Sequence, residues 1–175
     1  VIQAAGVPTI TANSSNNLNC LINTATLSAT SAGNTIVWNG GALVNAANQS
    51  VVNAPGSYTA TATNTLNGCT SSLVIAVTQN TTSPNISINT PGALNCTNTA
   101  VTLTGVSSTG GVTFTWQPSN INTSTLSVTT AGNYSLVITN PLNGCTSSTA
   151  IAVTQNTATP NISAGSSGTL SCINN

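Results

Sequence analysis

The amino-acid sequence repeats itself with a step of 76 residues, and this periodicity constrains the fold more than any other feature. Cys96 follows Cys20 by 96 − 20 = 76 residues, and Cys172 follows Cys96 by the same step. The segment 67–72 (NGCTSS) recurs unchanged at 143–148. Self-similarity at a fixed period indicates tandem copies of one structural unit. The repeats are expected at three ranges: 1–76, 77–152 and, as the incomplete start of a third, 153–175.

Each repeat has the sequence pattern of β-strands throughout. Thr and Val are frequent, and Gly, Asn and Pro interrupt the chain at roughly 8–12-residue intervals. Apolar side chains alternate with Thr and Ser in the clearest segments, as at 112–116 and 134–138. About seven short strands per repeat, each with one inward face, predict an all-β fold. We therefore expect tandem immunoglobulin-like β-sandwich domains of about 76 residues.

Each repeat contains one Trp and one Tyr, and these four aromatic residues are the expected centres of the two cores. Trp38 and Trp116 lie in alternating strand segments, which favours a core position over the alternative of stacking on sugars. Tyr58 and Tyr134 each follow a Gly by two residues. We expect their hydroxyl groups to form the corner hydrogen bond of immunoglobulin-like domains.

The cysteines suggest how such small domains are stabilised, because a domain of about 76 residues has a small hydrophobic core and often needs a covalent cross-link. We expect one disulfide in each domain, joining Cys20 to Cys69 and Cys96 to Cys145. Each would close a loop of about 50 residues, which the chain-entropy model values at about 4 kcal/mol. The alternative of five buried free thiols stays open. Cys172 is expected to be unpaired, or paired with a residue beyond position 175. Disulfides indicate an oxidising compartment, hence the periplasm or the cell exterior.

The chain contains no Asp, Glu, Lys, Arg or His, whereas an ordinary domain is about a quarter charged. General acid–base catalysis needs a group with a suitable pKa, and hard cations need carboxylate oxygens. Zinc sites use His or several thiolates, and nucleic-acid binding begins with Lys and Arg. We therefore expect no enzyme activity, no catalytic residue, no cofactor, no metal site and no nucleic-acid partner.

Neutral composition also bears on membranes and on self-association. The longest apolar run, 73–77, is far shorter than the ~20 residues that span a bilayer, so no membrane insertion is expected in this segment. A neutral β-rich surface lacks the repulsion that keeps charged proteins apart, so copies of the chain are the expected partner.

No basic n-region follows Val1, which suggests a mature segment or a window of a longer chain.

Several segments resemble a known group of repeats. A Cys preceded by Leu-Asn, a strand ending in Trp, and the segment 131–146 (AGNYSLVITNPLNGCT) are the features that carry the resemblance. The first repeat has the related segment 55–64 (PGSYTATATN). These features resemble the tandem immunoglobulin-like repeats, of the PKD or gliding-adhesin type, of large secreted Bacteroidota surface proteins, some of them cargo of the type IX secretion system. The resemblance implies a bacterial protein in an extracellular or cell-surface location, as a stalk, adhesin or filament.

The cysteine positions differ from those of antibody domains, in which the second Cys lies two residues after the corner Tyr. In this chain Ala60 and Leu136 occupy those positions, and Cys69 and Cys145 follow an Asn-Gly turn beyond the strand. We therefore expect the bridge within each domain to tie the start of strand B to the start of strand G, near one end of the sandwich.

Two classes of function remain. The first is a structural, non-catalytic repeat segment of an extracellular filament, fibre or cell-surface stalk that associates with itself through neutral β surfaces. The second is an adhesin repeat that binds glycans or another cell surface. Members of the resembling group usually carry some Asp, Glu and Lys, so the neutral version favours a specialised assembly role. Glycosylation of the Asn-, Ser- and Thr-rich surface stays open.

Overall fold

The computed structural model describes residues 6–40, 44–46 and 48–165, and for 44–46 it describes the backbone alone. Every regular element in these ranges is a β-strand, so the expected all-β class is confirmed. Residues 166–175 of the expected third repeat, and with them the position of Cys172, lie outside the described residues.

The first repeat forms two antiparallel sheets that face each other. One sheet has the strand order β1–β3–β6–β5 and the other has the order β4–β7–β8. The short strands β2 and β9 form a separate pair. The bounds are β1 (Thr11–Ser14), β2 (Leu18–Asn19), β3 (Ala25–Thr30), β4 (Thr35–Asn39), β5 (Val44–Ala46), β6 (Gln49–Val52), β7 (Gly56–Thr63), β8 (Thr70–Val77) and β9 (Gln79–Asn80).

The second repeat forms the same arrangement, except that its first sheet has three strands rather than four. Its antiparallel sheets have the orders β10–β12–β14 and β13–β15–β16, and β11 pairs with β17. The bounds are β10 (Ser87–Ile88), β11 (Leu94–Asn95), β12 (Val101–Val106), β13 (Thr113–Gln117), β14 (Thr125–Val128), β15 (Gly132–Thr139), β16 (Thr146–Val153) and β17 (Gln155–Asn156). Two antiparallel sheets packed over one core in each repeat make this a tandem immunoglobulin-like β-sandwich.

The strand pair that departs from the antiparallel pattern determines where the first cysteine of each repeat lies. After β1 the chain leaves its sheet, and β2 pairs in parallel with β9 at the end of the last strand. The register aligns Leu18 with Gln79 and Asn19 with Asn80. The second repeat does the same, because β11 pairs in parallel with β17. Cys20 and Cys96 therefore lie beside the C-terminal ends of β8 and β16.

Each sandwich has its own hydrophobic core, built from the inward positions of alternating strands. The first core consists of Leu18, Ala25, Leu27, Ala29, Trp38, Val52, Tyr58, Ala60 and Val77. The second consists of Leu94, Val101, Leu103, Trp116, Leu126, Val128, Leu136, Ile138 and Val153. Because Val77 packs in the first core, the packing of the first sandwich extends one residue beyond the range 1–76 given by the repeat step.

The four aromatic residues lie in or against these cores. Trp38, Tyr58 and Trp116 are buried, and Tyr134 is half-buried against the second cluster. Both tyrosines form the expected corner bond: the Tyr58 hydroxyl donates to Ala54 O at 2.8 Å and the Tyr134 hydroxyl donates to Thr130 O at 2.9 Å. Packing of the tryptophan rings in the cores leaves them unavailable for sugar stacking.

Candidate functional site

The disulfide of this chain joins the two sandwiches to each other and does not lie within either one. It links Cys20 of the first repeat to Cys145 of the second, with the Cα atoms 5.1 Å apart. Cys69 and Cys96 are free thiols and are exposed. The expected pairs Cys20–Cys69 and Cys96–Cys145, and with them one disulfide per domain, are therefore wrong.

The direction of the strands explains why the expected pairs cannot form. Cys20 lies beside the C-terminal end of β8, whereas Cys69 directly precedes its N-terminal residue, Thr70. A strand of this length, at about 3.3 Å per residue, keeps the two positions roughly 25 Å apart. A disulfide needs Cα atoms within about 7 Å. The same separation along β16 keeps Cys96 away from Cys145.

Hydrogen bonds from a single asparagine accompany the disulfide at this junction. The Asn143 side-chain Nδ2 donates to Asn80 Oδ1 at 3.1 Å and to Thr82 O at 2.9 Å, both in the chain that connects the sandwiches. The backbone N–H of Cys20 donates to Asn143 O at 3.1 Å. Asn143 is only 2% exposed, so its amide and carbonyl are satisfied across the junction rather than by solvent.

A glycine turn brings the second sandwich close to the first. The backbone N–H of Cys145 donates to Asn143 Oδ1 at 3.0 Å, and Gly144 adopts a φ of +69° that L side chains rarely adopt. A Cβ on Gly144 would collide with the side chain of Leu21. Glycine is therefore required here both by its backbone conformation and by the approach of the neighbouring sandwich. Cys145 is 1% exposed as a result.

A further contact fixes the start of the second sandwich. The Ser147 hydroxyl, near the start of β16, donates to the carbonyl of Pro84. The connecting chain is thus held at Asn80 and Thr82 by Asn143 and at Pro84 by Ser147. The junction is a polar and covalent contact that restricts how the two sandwiches move relative to each other.

Outside the junction, the sheet β4–β7–β8 presents a neutral outer face. In the strand register Thr61 of β7 lies opposite Val37 of β4, and Thr59 of β7 lies opposite Val74 of β8. The side chains of Val37 and Val74 are 57% and 58% exposed. The corresponding strands β13, β15 and β16 of the second sandwich continue this pattern of Thr, Ser, Val and Ala. These surfaces can bury apolar area against another neutral surface without separating charges.

The described residues contain no group of three or more side chains suited to hold a metal ion. Across the same ranges, no helix has the length and apolar character needed to traverse a bilayer. One concave place on the described surface is lined by Thr11, Ala12, Asn13, Ser28 and Thr30. Another combines Ser and Thr residues with Ile121, Leu126, Val128 and Tyr134. Hydroxyl groups in such places have no side-chain base to activate them as nucleophiles.

Comparison with solved structures found tandem immunoglobulin-like and surface-layer domains. Three N-terminal domains of the Highly Immunogenic Outer Capsid protein of bacteriophage RB49 are 17% identical, with 86% of this chain and 59% of that chain covered and a TM-score of 0.46. Domains 1–6 of the surface layer protein SbsC are 17% identical, with coverages of 90% and 29% and a TM-score of 0.40. Murine CEACAM1b is 14% identical, with coverages of 85% and 100% and a TM-score of 0.39.

The chain thus spans less than two thirds of the capsid-protein structure that it matches. No protein-family model matches the chain, and no curated protein sequence is similar to it. The immunoglobulin-like fold is therefore assigned from the strands, sheets and cores of this chain alone.

Proposed function

We propose that this chain is a structural, non-catalytic repeat segment of an extracellular filament, fibre or cell-surface stalk. The observation that carries the proposal is the junction, in which a disulfide and a buried asparagine hold two successive sandwiches end to end. A stalk or fibre needs such restricted joints, because a free linker lets domains reorient. A disulfide also fits an oxidising, extracellular location.

The composition supports the non-catalytic part of the proposal. Without Asp, Glu, His, Lys or Arg, the chain lacks the side chains that most often serve as general acids and bases. The same absence removes the cleavage sites of proteases that cut after Lys or Arg, which suits a polymer exposed outside a cell.

We assign lateral self-association to the neutral outer face of the sheet β4–β7–β8 defined above. The exposed side chains of Val37 and Val74 provide apolar area, and the neighbouring Thr residues provide hydrogen-bonding groups without charge. Association of this kind does not depend on ion pairs and is therefore insensitive to moderate changes in salt.

Electron microscopy of the native material at low and high NaCl concentration tests the proposal. We expect ordered fibres with a regular axial repeat and side-to-side packing that salt leaves unchanged. Isolated, flexible beaded strings would contradict it and would favour the adhesin alternative, with the domains acting as spacers for a binding surface elsewhere.

The assignment of the outer face is tested by placing charge on it. The double variant Val37→Glu/Val74→Glu is expected to weaken lateral association at low salt, since like charges on facing surfaces repel. Sedimentation velocity of the purified chain measures this. Thr102→Glu/Val106→Glu is the matched control, because it adds the same charge at two exposed residues of β12, which lies in the other sheet of the second sandwich. Equal effects of the double variant and the control would contradict the assignment.

A further inference from the structure

The disulfide connects two points of the chain that are far apart in sequence. Cys20 and Cys145 are separated by 125 residues, whereas their Cα atoms are 5.1 Å apart. A fully extended chain of that many residues would span about 45 nm. Residues 21–144, which contain β3 to β15, therefore form a closed loop whose two ends meet at the disulfide.

The strands that lead into the disulfide run towards the junction. β1 runs antiparallel to β3, with Thr11 beside Thr30 and Ser14 beside Leu27. Because β3 starts shortly after Cys20 and runs away from the junction, β1 points towards the junction. After a three-residue connection, β2 continues in the same direction beside β9 and ends next to Cys20.

The strands that leave the disulfide run away from the junction. Thr146, which follows Cys145, is the first residue of β16, and all eight residues of this strand pair with β15. β17 continues in the same direction beside β11. Strands rise about 3.3 Å per residue, close to the limit of ~3.6 Å for a stretched chain. The covalent path from Thr11 through the disulfide to Asn156 is therefore nearly extended in the folded state.

The other strands are attached to this path only from the side. Hydrogen bonds join β3 to β1, β9 to β2, β15 to β16 and β11 to β17. Tension that enters on the N-terminal side of Cys20 and leaves on the C-terminal side of Cys145 passes through the disulfide. Since residues 21–144 begin and end at the disulfide, this tension does not pull their ends apart.

The hydrogen bonds of the junction cannot replace the disulfide in this respect. Asn143 Nδ2 donates to Asn80 Oδ1 and Thr82 O, and Cys20 N donates to Asn143 O. Such bonds exchange with hydrogen bonds to water, so their net strength is small. A covalent S–S bond does not exchange in this way. Because the two kinds of contact cross the same junction side by side, the covalent one carries the tension.

We propose that the Cys20–Cys145 disulfide transmits tension from β1 and β2 to β16 and β17, so that the chain does not lengthen and the sheets of residues 21–144 stay folded. Reduction of this bond makes the same segment extensible, because tension must then pass through every strand in turn. The inference goes beyond the proposed function, since it concerns tension in a single chain and does not depend on lateral association.

Single-molecule force spectroscopy of the full chain, with a handle attached at each end, tests this inference. The background Cys69→Ser/Cys96→Ser/Cys172→Ser leaves Cys20–Cys145 as the only disulfide that can form. We expect the oxidised chain to show no abrupt lengthening greater than about 2 nm, because its path is nearly extended. Adding Cys20→Ser/Cys145→Ser is expected to produce abrupt unfolding steps and a final length about 45 nm greater. Larger abrupt steps in the oxidised chain would overturn the inference.

A second measurement changes only Cys172→Ser and keeps the other four cysteines. Dithiothreitol is added to the oxidised chain under tension; its two thiols become a cyclic disulfide while Cys20 and Cys145 become thiols. We expect one increase in final length of about 45 nm. Bonds within each sandwich would instead enclose 69 − 20 = 49 and 145 − 96 = 49 residues. Two increases of about 18 nm each would therefore overturn the inference.

Asn143→Ala is the matched control, because it disturbs the same junction without removing a sulfur atom. We expect the oxidised variant to lengthen no more than its parent, since the disulfide still carries the tension. Reaction with a thiol reagent before the measurement verifies that the disulfide has formed. Abrupt lengthening of this variant with the disulfide intact would show that the hydrogen bonds carried the tension, and would overturn the inference.

Failure of this inference is distinguishable from failure of the proposed function. A chain that does not lengthen when oxidised, in material that forms isolated beaded strings, would support the path of tension and contradict the fibre. Laterally packed fibres built from a chain that lengthens in steps while oxidised would overturn the path of tension and leave the structural role standing.

Discussion

At the scale of single residues, the two tryptophans show that equivalent positions in a repeat need not have equivalent environments. The Trp116 indole Nε1 donates to Thr123 O at 3.0 Å. The Trp38 indole Nε1 is buried and has no hydrogen-bond partner in the described ranges. The spacing between the tryptophans is 116 − 38 = 78 residues, two more than the repeat step, so the loops that follow them differ. Among the described residues, only the second loop supplies a carbonyl to the ring.

This difference leads to a prediction for a matched pair of variants. Trp116→Phe loses both ring volume and a hydrogen bond worth about 1 kcal/mol, whereas Trp38→Phe loses ring volume alone. We therefore expect Trp116→Phe to destabilise its sandwich by roughly 1 kcal/mol more than Trp38→Phe destabilises the first. Hydrogen exchange of the buried amides of Leu136 and Ala60 measures the two sandwiches separately. Equal losses of protection would contradict the prediction.

At the scale of elements, the parallel pairing of β2 with β9 and of β11 with β17 has the largest consequence. It carries the first cysteine of each repeat to the C-terminal end of the sandwich. The turn before the last strand, which bears the second cysteine, lies at the N-terminal end. Successive sandwiches therefore bring the first cysteine of one against the second cysteine of the next.

The turn that meets Leu21 can be tested with another matched pair. Replacing Gly68 or Gly144 by alanine destabilises the folded state by roughly 1 kcal/mol in either turn, because alanine disfavours a positive φ. Gly144→Ala also forces a collision with Leu21, which Gly68→Ala does not. We expect Gly144→Ala to expose Cys145 and to speed reduction of the Cys20–Cys145 disulfide by dithiothreitol, with Gly68→Ala unchanged. Restoration of the slow rate by adding Leu21→Ala would identify the collision as the cause, and equal rates in both single variants would contradict it.

At the scale of the whole molecule, the absence of charge determines how stability responds to pH. Stability changes with pH only where the folded and unfolded states bind different numbers of protons. Between pH 5 and pH 7 the side chains that ordinarily gain or lose protons are those of His, Glu and Asp, and the chain contains none of them. We therefore expect the slope of the unfolding free energy against pH to be close to zero in this window.

We expect the urea midpoint of the chain to be the same at pH 5, 6 and 7, within measurement error. A charged immunoglobulin-like domain measured in the same buffers serves as control, because its carboxylates and histidines should move its midpoint. A midpoint that rises or falls steadily across this window in the neutral chain would contradict the expectation.

The repeat, the strand content, the inward faces and the corner tyrosines could all be predicted from the amino-acid sequence. These features depend on residues close together in the chain. Side chains alternate between the two faces of a strand, which places both Leu136 and Ile138 on the inward face. The Tyr134 hydroxyl donates to the carbonyl of Thr130, only four residues earlier. The cysteines, Asn143 and Gly144 recur at the 76-residue step, but this recurrence does not show that they meet residues of a neighbouring sandwich.

Which cysteines pair depends on contacts between residues far apart in the chain. Pairing within a repeat and pairing between successive repeats preserve the same 76-residue step, so periodicity does not distinguish them. The distinction comes from the parallel alignment of β2 with β9, a contact between segments about 60 residues apart that no local pattern encodes. The approach of Leu21 to Gly144 has the same origin, because it exists only once two sandwiches are placed end to end.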